Sequence, residues 1–153
     1  MHLSSKEMDV LYHSDISKID WDKLADVIER APLGKRSAES VEKAFRGSYR
    51  YCFAESDGRL IGAGRAISDG ASNSAIFDVV VLPEYQGRGV GKAIMQYLLD
   101  RLPPRSVLLI SVPKQQEFYQ KLGFHKLKTA YLRHVEIKRW VRDGYIEENE
   151  PSS

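Results

Sequence analysis

The sequence lacks the features that mark disulfide-rich proteins, nucleic-acid-binding proteins and membrane proteins. Its single cysteine, Cys52, excludes an intramolecular disulfide framework and argues against a cysteine-based metal site. The neighbouring Tyr51 and Phe53 predict that this thiol is a buried, small apolar group and not a nucleophile. The formal net charge of +2 is too small to indicate a nucleic-acid partner, which needs a concentrated basic face. No apolar run approaches the roughly 20 residues of a membrane span, and Met1 to Lys6 lack a signal-peptide core, so we expect a cytoplasmic protein without a membrane partner.

The length and composition are those of a small globular protein. The chain has 153 residues, of which 42% are hydrophobic and 29% are charged. A chain of this length can bury roughly 70% of the surface that it exposes when unfolded. We therefore expect a single domain over residues 1–153, in which the acidic stretch from Glu147 to Ser153 is a solvated tail.

Hydrophobic periodicity predicts a mixed α/β sheet with flanking helices. Asp20 is the expected N-cap of a helix from Trp21 to Arg30, and Ser37 is that of a second, short helix. Residues after Thr129 fit either a helix or a strand, and we favour the helix. Expected strands are residues 9–14, 49–55, 60–67 and 75–82, a central buried strand at 107–112 and another starting at Phe124, with an Asp57-Gly58 hairpin turn and a short helix over 115–122.

The most informative segment runs from Val79 to Lys92. A β-branched run stops at Pro83, and three glycines at alternate positions then lead directly into an apolar helix pattern. A loop that opens a helix in this way leaves several backbone N–H groups unpaired at the positive end of the helix dipole. Those donors favour an anion, above all a phosphate.

Two familiar phosphate loops do not fit the spacing. A nucleoside-triphosphate loop needs Gly, four residues and Gly-Lys-Ser/Thr, but Gln86 stands at the first glycine position and Ala93 follows Lys92. The dinucleotide fingerprint needs Gly-x-Gly-x-x-Gly, whereas the glycines here strictly alternate. The segment therefore matches neither the nucleoside-triphosphate loop nor the dinucleotide fingerprint.

The pattern that does fit is Gln-x-x-Gly-x-Gly, formed by Gln86, Gly89 and Gly91. It resembles the GNAT superfamily of acyl-CoA-dependent N-acyltransferases. Downstream, the segment from Tyr119 to Phe124 is similar to the Tyr-x-x-x-Gly-Phe segment of that family. The two motifs and the βαβ order between them cover about residues 75–126. The resemblance implies the GNAT fold, N-acetyltransferase activity and acetyl-CoA as the co-substrate.

The resemblance also implies where acetyl-CoA binds. The pyrophosphate would lie on the glycine loop, where side chains would hold phosphate oxygens away from the N–H groups. The pantetheine arm would pair with the strand before the loop like an added β-strand. The implied residues are Val79, Val80, Val81, Gln86, Gly87, Arg88, Gly89, Val90, Gly91, Lys92 and Tyr119.

Two residues are candidates for proton transfer. Tyr119 matches the tyrosine that protonates the leaving thiolate in many family members, and a phenol is protonated at neutral pH. The family's oxyanion donor is a backbone N–H, here near Val81. Where some branches carry a Glu or His base, this chain has Ala75 and Phe77. Asp78 is the one ionisable residue on that strand, and it stays open as a base, an amine-binding group or a structural acid, with a water chain as the other route for the proton.

Aromatic and acidic residues suit a cationic acceptor, and residues 31–36 and 76–79 look like those of small-amine acetyltransferases. We therefore expect a small-molecule primary amine as the acceptor. Acetylation of a protein lysine or N-terminus, and a non-catalytic CoA-binding sensor, are the alternatives. The histidines lack metal-ligand spacing, so we expect no metal. Homodimerisation through the C-terminal elements is a further expectation that the resemblance carries.

Overall fold

The structure is a computed structural model that describes residues Asp9–Glu147. The expectations for Met1 to Lys6, and for the 147–153 tail beyond its first residue, lie outside the described residues. The chain divides into two compact units, Met1–Leu109 and Ile110–Ser153, and each is described by itself. The single-domain organisation stays a prediction.

The first unit is built on a five-stranded mixed sheet, which confirms the predicted sheet type. The strands lie in chain order and are joined antiparallel, except that the last pair is parallel. Asp57 and Gly58 both have positive φ, 50° and 75°, and form the predicted hairpin turn. The strands are β1 (Leu11–His13), β2 (Arg50–Ser56), β3 (Arg59–Ser68), β4 (Asn73–Val81) and β5 (Ser106–Leu109).

The described part of this unit has two single-turn 3₁₀ helices (Ile16–Lys18 and Pro83–Tyr85) and three α-helices, α1 (Trp21–Arg30), α2 (Ala38–Arg46) and α3 (Val90–Leu99). The two predicted N-caps are confirmed. The Asp20 side chain accepts hydrogen bonds from the backbone N–H groups of residues 22 and 23 at 3.1 and 3.3 Å, and the Ser37 hydroxyl accepts one from Ser40 N at 3.1 Å. These local signals set the helix starts because they satisfy donors that have no partner within the helix.

The helices cover both faces of the sheet. The ring of Phe45 on α2 stacks on Phe53 of β2 at 5.7 Å. Phe53 pairs with Ala63, whose neighbour Gly62 faces the side chain of Ile94 on α3. Successive strand residues point to opposite faces, so α2 and α3 lie on opposite sides of β3.

The prediction of a central buried strand over residues 107–112 is wrong. β5 covers only Ser106–Leu109, is the last strand of the described sheet, and has Leu108 52% exposed. Ile110 and Val112, which follow β5, are 51% and 42% exposed. An apolar run of strand length indicates a strand but does not indicate how many neighbours pair with it.

The second unit contains two short helices, α4 (Gln116–Lys121) and α5 (Ile137–Arg142). Gly123, with φ 89°, follows the end of α4 as predicted. The strand predicted from Phe124 is wrong, because residues 124–136 form neither helix nor strand. The preference for a helix after Thr129 is confirmed only from Ile137 onward.

The described part of the chain offers no membrane span, since none of its helices is both long and apolar enough to cross a bilayer.

Candidate functional site

A β-bulge interrupts the pairing of β3 and β4. Ala63 pairs with Val80 and Arg65 pairs with Phe77, so one residue of β3 stands opposite two of β4. Asp78 takes the left-handed backbone conformation at this point, with φ 56°. Bulges of this kind commonly have a residue with positive φ and increase the local twist of the strand.

Beyond the bulge, one edge of β4 has no partner strand within the described sheet. The pairing of β4 with β5 ends at Ile76. Leu82 N donates to Ile61 O at 2.8 Å, so by strand alternation the N–H and C=O groups of Val79 and Val81 point away from β3. Val80 turns its carbonyl towards β3 instead. The open edge therefore presents both backbone groups of Val79 and the N–H of Val81 to a ligand that can pair like a strand, since Val81 O accepts a hydrogen bond from Gln86 Nε2.

The glycine loop joins this strand to α3. Gly87 and Gly89 have φ values of 76° and 84°, which few other residues adopt. Gly89 is the N-cap of α3, and the first donor bonded within the helix is Ala93 N, at 3.0 Å from Gly89 O. The N–H groups of residues 90–92 consequently have no partner within the helix. A Cβ at Gly87 or Gly89 would meet no protein atom within 4 Å, so both positions border open space.

The side chain of Gln86 ties the loop to its surroundings. Its Nε2 donates to Val81 O at 2.9 Å and to Ala31 O, at the end of α1, at 3.3 Å. The backbone N–H of Gln86 is itself engaged with Pro83 O at 3.2 Å. The Gln86 side chain is thus a clamp on the loop, and the N–H groups of residues 90–92 are the donors without a partner within α3.

Glu84 fixes the turn before the loop. Its carboxylate accepts hydrogen bonds from Arg30 Nη2 at 3.0 Å and from Arg59 Nη2 at 3.1 Å. The backbone N–H of Glu84 and the two guanidinium groups lower the pKa of its carboxyl. The turn is therefore connected both to α1 and to the start of β3.

Two cations lie near the donors. Arg88 and Lys92 are exposed, and the Arg88 guanidinium lies 5.7 Å from the centroid of the Tyr85 ring. Both side chains add positive charge beside the helix N-terminus, which favours an anionic ligand.

Asp78 is held by two arginines. Its Oδ2 accepts a hydrogen bond from Arg65 Nε at 2.7 Å and another from Arg36 Nη1 at 2.9 Å. The three side chains are largely buried, with 15%, 14% and 26% of Asp78, Arg65 and Arg36 exposed. The bulge thus brings Asp78 to the face of the sheet that carries α2, because Arg65 also lies over the Phe45 ring at 5.9 Å.

Tyr119 belongs to the second unit, on α4. Its ring is half-buried and meets the rings of Phe118 and Phe124 edge to face, at 5.0 and 6.2 Å. Leu122 N and Phe124 N both donate to Tyr119 O at 3.0 Å, which closes the end of α4. Burial raises the pKa of the Tyr119 phenol, so the hydroxyl is protonated at neutral pH.

Comparison with known proteins identifies the family of the chain. The family described as "Acetyltransferase (GNAT) domain" matches residues 22–135, which is most of the chain. The chain belongs to the GNAT acetyltransferase family. It is an acyl-CoA-dependent acetyltransferase, and the GNAT fold implies acetyl-CoA as the co-substrate.

Two plant relatives show how far the likeness extends. The chain is 35% identical over 72% of its length to the histone acetyltransferase TAP1 of Glycine max, and 33% identical over 69% of its length to the chloroplastic serotonin N-acetyltransferase 2 of Oryza sativa subsp. japonica. The matched regions cover 52% and 56% of these relatives, so the chain spans about half of their length.

A solved structure confirms the fold. A probable acetyltransferase of unknown function from meticillin-resistant Staphylococcus aureus superposes with a TM-score of 0.72 and 26% identity. The match covers 82% of this chain and all of that one.

Sequence reasoning missed several residues that shape this GNAT site. Arg36 and Arg65 were not connected with Asp78, because each lies far from it along the chain and only the bulge brings them together. Gly62 and Gly64, two residues apart within β3, carried a usable signal, since glycines at strand spacing mark a close approach. A Cβ at Gly62 would lie 2.8 Å from Val80 O, and one at Gly64 would lie 2.8 Å from a methyl carbon of Ile94.

The remaining candidates are not part of a reactive cluster. Cys52 is fully buried, as predicted, and burial raises the pKa of its thiol to about 12. Between Asp9 and Glu147, no group of three or more His, Cys, Asp or Glu residues is placed to hold a metal ion.

Proposed function

We propose that this chain transfers the acetyl group of acetyl-CoA to a primary amine by direct attack of the amine on the thioester. The observation that carries the proposal is the glycine turn that ends in the unpaired N–H groups of residues 90–92, beside the open edge of β4. An anion and a peptide-like arm of one ligand fit these two neighbouring features.

Acetyl-CoA is proposed to be bound mainly by backbone groups. The pyrophosphate is bound by the N–H groups after Gly87, with charge from Arg88 and Lys92. The pantetheine arm pairs with Val79 and Val81, and Gln86 holds the loop against β4. Because these contacts are made by the backbone, exchanging one apolar side chain of β4 for another should leave CoA binding unchanged.

The chemical step needs an oxyanion donor and an acid. The amine nitrogen forms a bond to the thioester carbon, and the resulting oxyanion is stabilised by a backbone N–H near Val81. The C–S bond then breaks, and the departing thiolate takes the proton of the Tyr119 hydroxyl. The amine gives up its proton to water, and the phenol recovers one from solvent. The raised pKa of Tyr119 supports this role, because the acid must be protonated before the step.

The acceptor is proposed to be a small-molecule amine. The name of the Oryza sativa relative, a serotonin N-acetyltransferase, supports this class, and the name of the Glycine max relative, a histone acetyltransferase, supports a protein lysine instead. The two classes differ in what they require, since a small amine needs an enclosing pocket and a peptide needs an open groove.

The test is an acetyl-CoA assay against matched panels of small amines and lysine peptides, in which release of the free CoA thiol is followed. Turnover with the small amines but not with the peptides supports the proposal. Turnover with the peptides but not with the small amines would show that the acceptor is a protein lysine. Tight CoA binding without turnover on either panel would identify a sensor. Tyr119→Phe should lower kcat by about 10²–10⁴-fold with CoA affinity unchanged. A kcat equal to that of the unmodified chain would remove Tyr119 from the mechanism.

A cytoplasmic location and a homodimer complete the proposal. Fractionation of cells that express the chain and light scattering of the purified protein test these two points. A monomer at micromolar concentration, or the chain in an organelle fraction, would contradict them.

A further inference from the structure

Asp78 occupies a backbone position where glycine is usual. Its φ of 56° lies in the left-handed region, which is unfavourable for most residues and is tolerated best by Gly, Asn and Asp. The carboxylate of Asp78 makes contacts that glycine cannot make, because its Oδ2 accepts hydrogen bonds from two arginines.

The first arginine is fixed to the sheet. Arg65 stands on β3 next to the bulge, and its guanidinium lies 5.9 and 5.3 Å from the centroids of the Phe45 and Phe77 rings. Its Nη1 is also 3.4 Å from Ser48 Oγ. The hydrogen bond of 2.7 Å from Arg65 Nε therefore attaches the bulge residue to a guanidinium group that is largely buried and has these further contacts.

The second arginine comes from a different part of the fold. Arg36 lies in the connection between α1 and α2, and the Asp78 carboxylate is its hydrogen-bond partner in this unit, at 2.9 Å. This ion pair joins residues that are 42 positions apart in the chain. It fastens the α1–α2 connection to the same backbone point that sets the open edge of β4.

We propose that Asp78 is a positioning residue, which holds the β4 bulge through Arg65 and the α1–α2 connection through Arg36, and that it does not take the proton of the amine. This inference rests on the proposed acetyltransferase function. Both arginine hydrogen bonds end on Asp78 Oδ2, and removing this carboxylate would leave two largely buried guanidinium groups without their counter-charge, which is costly. A carboxylate in this position serves as a fixed anchor, and the amine proton leaves through water.

The two arms predict separable effects. Weakening the Arg65 arm changes the backbone of Val79, which contacts the acyl donor, so it should act on CoA affinity and kcat. Weakening the Arg36 arm frees the α1–α2 connection, whose residues 31–36 resemble those of small-amine acetyltransferases, so it should raise KM for the acceptor and change CoA affinity less than weakening the Arg65 arm does.

The experiment compares Asp78→Asn, Asp78→Glu, Arg65→Gln and Arg36→Gln by steady-state kinetics from about pH 6 to about pH 9 and by CoA titration. Asp78→Asn keeps the left-handed preference and an acceptor oxygen, so we expect kcat to fall by about 3–10-fold with the acid limb of the pH profile unmoved. Asp78→Glu has a longer side chain and should perform worse than Asp78→Asn. Glu42→Gln, which breaks an exposed ion pair with Arg46 on α2, is the control and should change nothing.

A catalytic base would give the opposite pattern. In that case Asp78→Asn would abolish the acid limb and lower kcat by about 10²-fold or more, while Asp78→Glu would retain part of the activity. Such a result overturns the proposal.

Failure of the proposed function would be visible separately, as absence of turnover in the unmodified chain. CoA titration and the amide resonances of Val79 and Val81 then decide the positioning role. Unchanged CoA affinity together with unchanged resonances in Asp78→Asn overturns it, and a shift of those resonances supports it.

Discussion

Replacing Gly62 by alanine should both destabilise the protein and weaken CoA binding. Gly62 is buried in β3, directly opposite the part of β4 that is proposed to pair with pantetheine. An added Cβ would lie 2.8 Å from Val80 O and 3.1 Å from the Cδ1 of Ile94. The oxygen belongs to the backbone of β4 and cannot move away by a side-chain rotation.

The magnitude follows from this contact. Carbon-to-oxygen contacts between strands are normally about 3.3–3.6 Å, so the new contact is short by about 0.5 Å. Overpacking of a buried site costs about 1–3 kcal/mol, and a backbone clash favours the upper half of that range. The smaller entropy of the unfolded alanine chain returns about 0.4–1 kcal/mol. The net loss is about 2 kcal/mol, or a fall of about 4–8 °C in Tm for a domain of this size.

The assay is thermal unfolding with and without CoA, together with CoA titration. Gly58→Ala is the matched control, because Gly58 has φ +75° and no atom within 4 Å of an added Cβ. It carries backbone strain of about 1–2 kcal/mol without a clash and lies outside the proposed site, so its CoA affinity should equal that of the unmodified chain. A Tm of Gly62→Ala at or above that of the unmodified chain would refute the packing argument. Full CoA affinity in that variant would show that Gly62 on β3 does not affect CoA binding.

Three further predictions concern single groups. Burial raises the pKa of Cys52 to about 12, so the native protein should resist thiol reagents at about pH 8, and rapid labelling would contradict the buried position. Gln86→Leu removes two hydrogen bonds of the loop clamp and should raise the CoA Kd by about 3–10-fold, while Gln96→Leu on α3 should not; equal affinities would refute the clamp. The N–H groups of residues 71–73 lower the pKa of Asp69 to about 2, so its stabilising effect is present above the unfolded value of about 3.9 and is lost as the pH falls towards 2. Thermal melts of Asp69→Asn should depend less on pH across that window, and an unchanged slope would contradict the assignment.

Features with local causes were predicted from the sequence. The N-caps Asp20 and Ser37 and the Asp57-Gly58 turn depend on neighbouring residues only. Their physical signals, a capping oxygen and a residue that tolerates positive φ, are visible in a few letters.

Features with non-local causes were not predictable in the same way. The bulge at Asp78 depends on the register of β3 against β4, and the pairing of Arg36 and Arg65 with Asp78 depends in turn on the bulge. The edge position of β5 was missed for the same reason, because pairing on one side or both leaves no mark in a short apolar run.

The sequence therefore predicted the glycine loop and its ligand, but it did not indicate which residues Asp78 on β4 contacts. The alternation of side chains along β4 breaks at the bulge, and the sequence does not show whether or where an extra residue is present.

The central claim, that the glycine loop binds the phosphates of CoA, is tested most directly by calorimetric titration of CoA into Gly89→Asp and Gly58→Asp. Both glycines have positive φ, 84° and 75°, and no atom within 4 Å of an added Cβ, so the two variants share the same backbone strain. The account predicts that Gly89→Asp loses measurable CoA binding because a carboxylate enters the phosphate site, whereas Gly58→Asp binds as the unmodified chain does. Equal CoA affinity in both variants and the unmodified chain would contradict it.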